Sequence, residues 1–302
     1  MKVLKKLIDT NDLWRIKMDD IIYNTCKNLQ SQKGFIEAVA DKQDKWDYYN
    51  YTTYSVDDDN IINHDKKVSI PVPRVSEILD ACIGKPYLQN WAAGLGENYT
   101  EERERILNTG TYAHSLIEDF LKYGYVRDST KVFDKPFYLE QANKCYYNFN
   151  TWWHNMIEQG FKIDIIDIER TVVCPLYGGT ADIIACIKDP KGLVGNYILD
   201  FKTSRSISID YFYQTIMYKN AIEFENTTSN IKLNIDGVGI VRCDKFKNSY
   251  EYLIINKNKD PEFINTLEIS VINMVNWYYN QIRSSYQYKL VRNKYLKGDQ
   301  WV

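Results

Sequence analysis

The chain has 302 residues and a mass of 35.6 kDa, which allows one large domain or two ordinary ones. Hydrophobic residues make up 44% and charged residues 26%, enough for a sizeable core, and there is no run of about eighteen apolar residues to cross a bilayer. A net charge of −2 excludes a uniformly basic nucleic-acid binder, so any polyanionic partner needs a local positive surface.

The opening MKVLKKLIDTND lacks an apolar h-region, and Asp9, Asp12, Asp19 and Asp20 do not suit an acid-poor transit peptide. The expected compartment is the cytoplasm. Charge is uneven along the chain. Residues 41–66 hold seven Asp against three Lys. Residues 281–302 hold Arg283, Lys289, Arg292, Lys294 and Lys297 against Asp299, interleaved with Tyr286, Tyr288, Tyr295 and Trp301. That interleaving suits either a strand of nucleic acid or a solvated helix end. The six cysteines form no CxxC pair, so free thiols are expected rather than a zinc ribbon or an iron–sulfur cluster.

Residues 1–40 read as helical, and the Asp/Asn/Tyr-rich 41–70 as a long loop or weak hairpin; together 1–70 are expected to form an N-terminal extension. Short helices follow at Val75–Leu79 and Leu88–Leu95. Thr100 is a candidate N-cap for a helix with Glu101 and Glu102 in its first turn, running to about Lys122 with a break at Gly110. Residues 71–136 would make a helical lobe. From 137 the order reads α-β-β-β-α-β-β-α: a helix over 137–159 ended by Gly160, strands at 161–174, 180–188 and 196–203, a helix at 209–224, strands at 231–243 and 249–256, and a last helix opened by Pro261. The fold class this predicts is α/β, a mixed central sheet flanked by helices, with 137–302 as the core.

The chemistry concentrates in YGGTADIIACIKDPKGLVGNYILDFKTS, residues 177–204. Asp200 and Lys202 are two apart in a strand and share a face, while Leu199 and Phe201 point to core. A hairpin turn at Pro190 and Gly192 brings Asp182 alongside. Two carboxylates at close range repel and need a proton or a cation. Mg²⁺ answers that need, since it takes one or two carboxylates and bridges to phosphate. Lys202 would activate the attacking water or offset transition-state charge. The chemistry this suggests is phosphodiester hydrolysis.

Gly179-x-x-Asp182 followed by Ile198-Leu199-Asp200-Phe201-Lys202-Thr203-Ser204 resembles the catalytic hairpin of the RecB-like branch of the PD-(D/E)XK nucleases. The resemblance extends to Gln214-x-x-x-Tyr218, to Gly110-x-x-x-His114-x-x-x-Glu118, and to Glu169 on the first core strand. Pro73-x-Val75-Ser76-x-Ile78-Leu79, with Leu88 and Trp91, resembles an N-terminal helical motif of the mitochondrial genome maintenance exonucleases and similar phage exonucleases. It covers about residues 71–255. Ala181 stands where the family name has Pro, and the spacing of Asp182 and Asp200 allows a longer hairpin turn than the shortest members have.

The resemblance implies a restriction-endonuclease-like core. It implies a Mg²⁺- or Mn²⁺-dependent exonuclease for single-stranded DNA with a free end, working in replication, recombination or repair beside other such proteins. Asp182, Asp200, His114 and the backbone carbonyl of Phe201 would bind the metal. Gln214 would touch phosphate or hold water, and Tyr218 would position it, stack on DNA or pack in the core. Glu118 and Glu169 would contact the metal shell or stand as surface acids. Two other readings remain: a catalytically inactive nuclease-fold protein that binds DNA or a partner, and a structure- or site-specific endonuclease. Rich Asn, Lys, Ile and Tyr usage fits an AT-rich genome such as a phage's.

Overall fold

The computed structural model describes residues 36–41, 48–56, 62–84, 86–126, 136–228 and 232–296. Strands Ile36–Asp41 (β1), Tyr48–Val56 (β2) and Ile62–Val72 (β3) form an antiparallel sheet in that order. Residues 36–41 are thus strand where helix is expected, and 48–72 hold two long strands where a loop or weak hairpin is expected. The Tyr, Thr and Val of β2 and β3 fit a pleated surface, and this outweighs the turn-forming Asp and Asn among them. The rest of the expected N-terminal helix, Cys26, and the side chains of the acidic stretch and of the basic C-terminal stretch lie outside the described residues.

Helices Val75–Cys82 (α1), Pro86–Leu95 (α2) and Tyr99–Tyr123 (α3) follow, the last entered through a 3₁₀ turn at Gly96–Asn98. Asn98, rather than Thr100, occupies the N-cap, because the 3₁₀ turn already feeds the chain into the helix. Glu101 and Glu102 do lie in the first turn, and α3 runs unbroken through Gly110 to end at Gly124, where φ is 76°.

Helix Pro136–Glu158 (α4) leads into strands Lys162–Cys174 (β4), Tyr177–Lys188 (β5) and Val194–Lys202 (β6), then helix Ile209–Thr228 (α5), strands Gly237–Cys243 (β7) and Tyr250–Asn256 (β8), and helix Pro261–Leu296 (α6). The five strands lie in sequence order, with β6 and β7 parallel and the other pairs antiparallel. A parallel pair needs a crossover, and α5 supplies it. The architecture is α/β, a mixed five-stranded sheet between two helical layers.

Side-chain periodicity assigns the layers. Ile183, Ala185, Leu199, Phe201 and Val241 face α3 and α4, whose buried stripe is Ala113, Leu116, Ala142, Cys145, Phe149, Trp152 and Met156. Ile184, Ile198, Val238 and Ile240 face α1, α5 and α6. Trp152 is fully buried, Trp153 packs beside it, and the five described cysteines are free thiols. His154 is exposed. Among the described residues no helix is long and apolar enough to cross a membrane.

The first sheet is fastened to the second. Gly178 donates its N–H to the Pro73 carbonyl at 3.0 Å, and Tyr49 Oη lies 3.0 Å from Thr180 Oγ1. A Cβ on Gly178 would sit 2.5 Å from the Tyr49 ring, so the ring lies directly on the glycine backbone.

Candidate metal centre

The β5–β6 ladder is regular from Lys188↔Val194 to Ile183↔Leu199. One step further, Asp182 and Asp200 would face each other. There the Asp182 side chain takes over from the main chain: Phe201 N–H donates to Asp182 Oδ2 at 2.6 Å. Phe201 enters the site through this N–H, while its ring is pinned at 5.0 Å between centroids by Phe149 and meets the His114 ring edge-on at 6.3 Å.

His114 comes from α3, next to the buried Ala113 on its core-facing side. Its Nδ1 lies 3.4 Å from Asp182 Oδ1. Glu169 comes from β4, beyond a register shift between Ile165 and Asp167, and takes the left-handed φ of 52°. Ligand atoms of His114, Glu169 and Asp182 all lie within 4.8 Å of one another, so these three could hold a metal ion. Asp200, expected among the ligands, is not in that group. Its Oδ2 lies 2.6 Å from Lys202 Nζ in a buried ion pair.

Lys202 is steered from α5. Its Nζ donates to Gln214 Oε1 at 3.0 Å, and Gln214 Nε2 donates to Tyr218 Oη at 2.6 Å. The i, i+4 spacing of Gln214 and Tyr218 makes that relay. Tyr218 is also core, 4% exposed, and a Cβ on Gly179 would reach within 2.4 Å of its ring. Tyr218 is thus both packed in the core and hydrogen-bonded to Gln214. Tyr211 was not singled out in sequence: Lys202 Nζ stands 5.0 Å over its ring. An aromatic one turn before Gln214 was the available signal.

A cleft of about 420 Å³ opens at this point, lined by Gly110, Thr111, His114, Ser115, Glu118 and Glu169. Glu118 is on its wall and pairs with Lys122. A helix face presenting positions 110, 111, 114, 115 and 118 explains the lining. Thr111 and Ser115 had no sequence signal beyond that spacing.

Charge sets the protonation of the site. Burial would raise the Asp182 carboxyl, but His114, Lys202 and the Phe201 N–H outweigh it and hold it below the usual carboxylate range. Burial, helped by the Asp182 charge, pushes Asp200 up to about 6. Burial and Asp182, with Glu118 adding, push Glu169 up to about 7. Burial opposes the His114 imidazolium, yet Asp182 and Asp200 carry it up to about 9. Lys202 too is raised, Asp200 and Asp182 outweighing burial, so it stands as an ammonium. Without a metal, then, the imidazolium supplies the cation that the carboxylates require.

Asp182, Asp200, Lys202, His114, Gln214, Tyr218, Glu118 and Glu169 thus come from β5, β6, α3, α5 and β4 to one end of the sheet. Comparison of the sequence with models of known protein families gives no match, and comparison with curated protein sequences gives none.

Proposed function

We propose that the protein is a divalent-metal-dependent deoxyribonuclease with a PD-(D/E)XK core, an exonuclease that hydrolyses phosphodiester bonds at single-stranded DNA ends. The observation that carries this reading is the meeting of Asp182, Asp200 and Lys202 from neighbouring strands with His114 from α3.

The donor set fits a metal. One imidazole and two carboxylates lie within reach of each other, and the buried Asp200 carboxylate stands beside them, paired with Lys202. A set rich in carboxylate oxygen suits Mg²⁺ or Mn²⁺. When bound, such an ion polarises the phosphoryl oxygen and lowers the pKa of water.

The chain's own groups do the rest. Asp182, by accepting the Phe201 N–H, fixes the offset between β5 and β6 and thereby the place of Lys202. Lys202, kept protonated by Asp200 and aimed by Gln214, offsets the charge that grows on the phosphate oxygens. An ammonium held above its ordinary range does not serve as the base, so of the two roles open to Lys202 charge stabilisation is favoured. His114 would hold the ion as a neutral imidazole, giving up its extra proton on binding.

The test is time-resolved digestion of single strands labelled at the 5′ or 3′ end, with Mg²⁺ or Mn²⁺. Asp200→Ala and Lys202→Ala should abolish cleavage while leaving the fold intact. Digestion at the native rate by either variant overturns the assignment. A circular single strand left intact separates an exonuclease from an endonuclease, and metal-independent binding without products marks a non-cutting binder.

A further inference from the structure

Beyond the carboxylates, α3 passes over the carboxyl end of β6, with Gly110 against Thr203, and carries Arg105 nine residues before His114, on the order of 13 Å along the helix axis. Close to Arg105 and Glu102 lies the turn between β7 and β8, Asp244-Lys245-Phe246-Lys247-Asn248-Ser249. The turn is tightly held. Asp244 Oδ1 accepts the N–H groups of Phe246 and Lys247 at 2.8 and 2.9 Å, and Asn148 of α4 donates to the Asp244 and Lys247 carbonyls at 2.7 Å. Arg242 ties it to the segment just after β6 by donating to the Ser204 carbonyl at 3.3 Å.

The charges here do not cancel. Arg242 is balanced by Asp244 and Glu251, and Arg105 by Glu102. Among the described residues Lys245, Lys247 and Arg205 have no carboxylate at ion-pair distance. Lys245 is half-buried, and its ammonium is depressed by that burial and by Arg105 and Arg205 nearby. Between the two lysines Phe246 stands 59% exposed, with Lys245 Nζ 6.0 Å over one face of its ring and the other face turned to solvent.

We propose that this turn is a second contact for single-stranded DNA, with a base stacked on Phe246 and phosphates held by Lys245, Lys247 and Arg205. An exposed ring between cations is the chemistry that accepts a base face and its flanking phosphates without reading sequence. The turn then grips the strand away from the scissile bond and keeps the end in the cleft. This rests on the nuclease reading above and names how that site holds its substrate.

The experiment is fluorescence anisotropy of a labelled single-stranded 20-mer with Ca²⁺ in place of Mg²⁺, over a salt series, beside steady-state digestion with Mg²⁺. Phe246→Ala should weaken binding about 5-fold or more, the loss of one stacked base. Lys245→Ala with Lys247→Ala should lower the slope of log K against log salt by about 1.4, two phosphate contacts on a single strand. Both should raise KM with kcat kept, and Lys191→Ala on the β5–β6 turn should do neither. If the native protein binds and cuts and these variants match it, the turn has no such role. If the native protein neither binds nor cuts, the nuclease reading has failed and this one with it.

Discussion

Phe201 gives its N–H to the side chain of Asp182 rather than to a neighbouring carbonyl, at 2.6 Å. One carboxylate thus closes the sheet ladder with one oxygen and faces His114 with the other. Asp182→Asn keeps an oxygen for the N–H and should fold normally, but should lose the rise in Tm expected of the native protein on adding Mn²⁺. Asp182→Ala strands a buried donor and should cost about 1–3 kcal/mol in a urea titration.

In metal-free protein, stability should fall as pH rises from about 4 to 9. Asp200 and Glu169 are raised to about 6 and 7 in the folded state, so each favours folding most below its unfolded value and loses that contribution as pH climbs through the folded one. His114, raised to about 9, contributes fully below its ordinary value of 6.5 and loses the contribution as pH passes about 9. Asp182 is depressed and acts in the opposite sense, only at pH below its ordinary 3.8. A Tm series in EDTA should decline across that window. A Tm that rises there would contradict these assignments, and Glu169→Gln should flatten its central part.

Metal loading should reverse that trend. The ion replaces the His114 proton, so affinity should increase with pH and binding should release protons in weakly buffered solution. At a hundred times Kd the gain in stability is about 2.7 kcal/mol. His114→Gln should abolish most of the Tm shift.

Gln214 holds Lys202 by its oxygen and Tyr218 by its nitrogen. Gln214→Ala should reduce kcat by roughly tenfold, about 1.4 kcal/mol, with little change in Tm, because Lys202 keeps its charge and loses its aim. Tyr218→Phe should cost stability of about 1 kcal/mol and act on kcat less.

Glu169 pays for its position with a left-handed backbone inside a strand. A glycine there relieves strain of about 1–3 kcal/mol and removes a half-buried acid. Glu169→Gly should therefore melt at or above the native temperature while failing to cleave DNA, a combination that chemical denaturation and digestion would reveal together.

The sheet order from β4 to α6 was legible because each element carries its own pattern: an unbroken apolar run Ile183–Ile187 for a strand buried on both faces, alternation of Leu199 and Phe201 with Asp200 and Lys202 in the next strand, and Ala142, Cys145, Phe149 and Met156 for a helix. The pairing of Asp200 with Lys202 followed from the same alternation, and that of Gln214 with Tyr218 from the helical turn. Glu169 as a partner of His114 and Asp182 was not legible as such. Its place depends on a register shift three residues earlier and on a backbone angle that glutamate seldom adopts, and neither leaves a mark in residue type. The strands at 36–72 were hidden for another reason. Tyr and Thr run consecutively through β2, and Asn63, Asp65, Lys66 and Lys67 open β3, so hydrophobic periodicity is faint and β-propensity speaks only for β2.

Tyr49 resting on Gly178 gives that early sheet a bearing on the candidate site at Asp182, four residues farther along β5. Shortening the chain ahead of Pro73 would remove the prop under the hairpin and leave every acid and the amine present but unsupported. A trimmed product that stays folded yet digests nothing would trace its failure to lost alignment rather than lost chemistry.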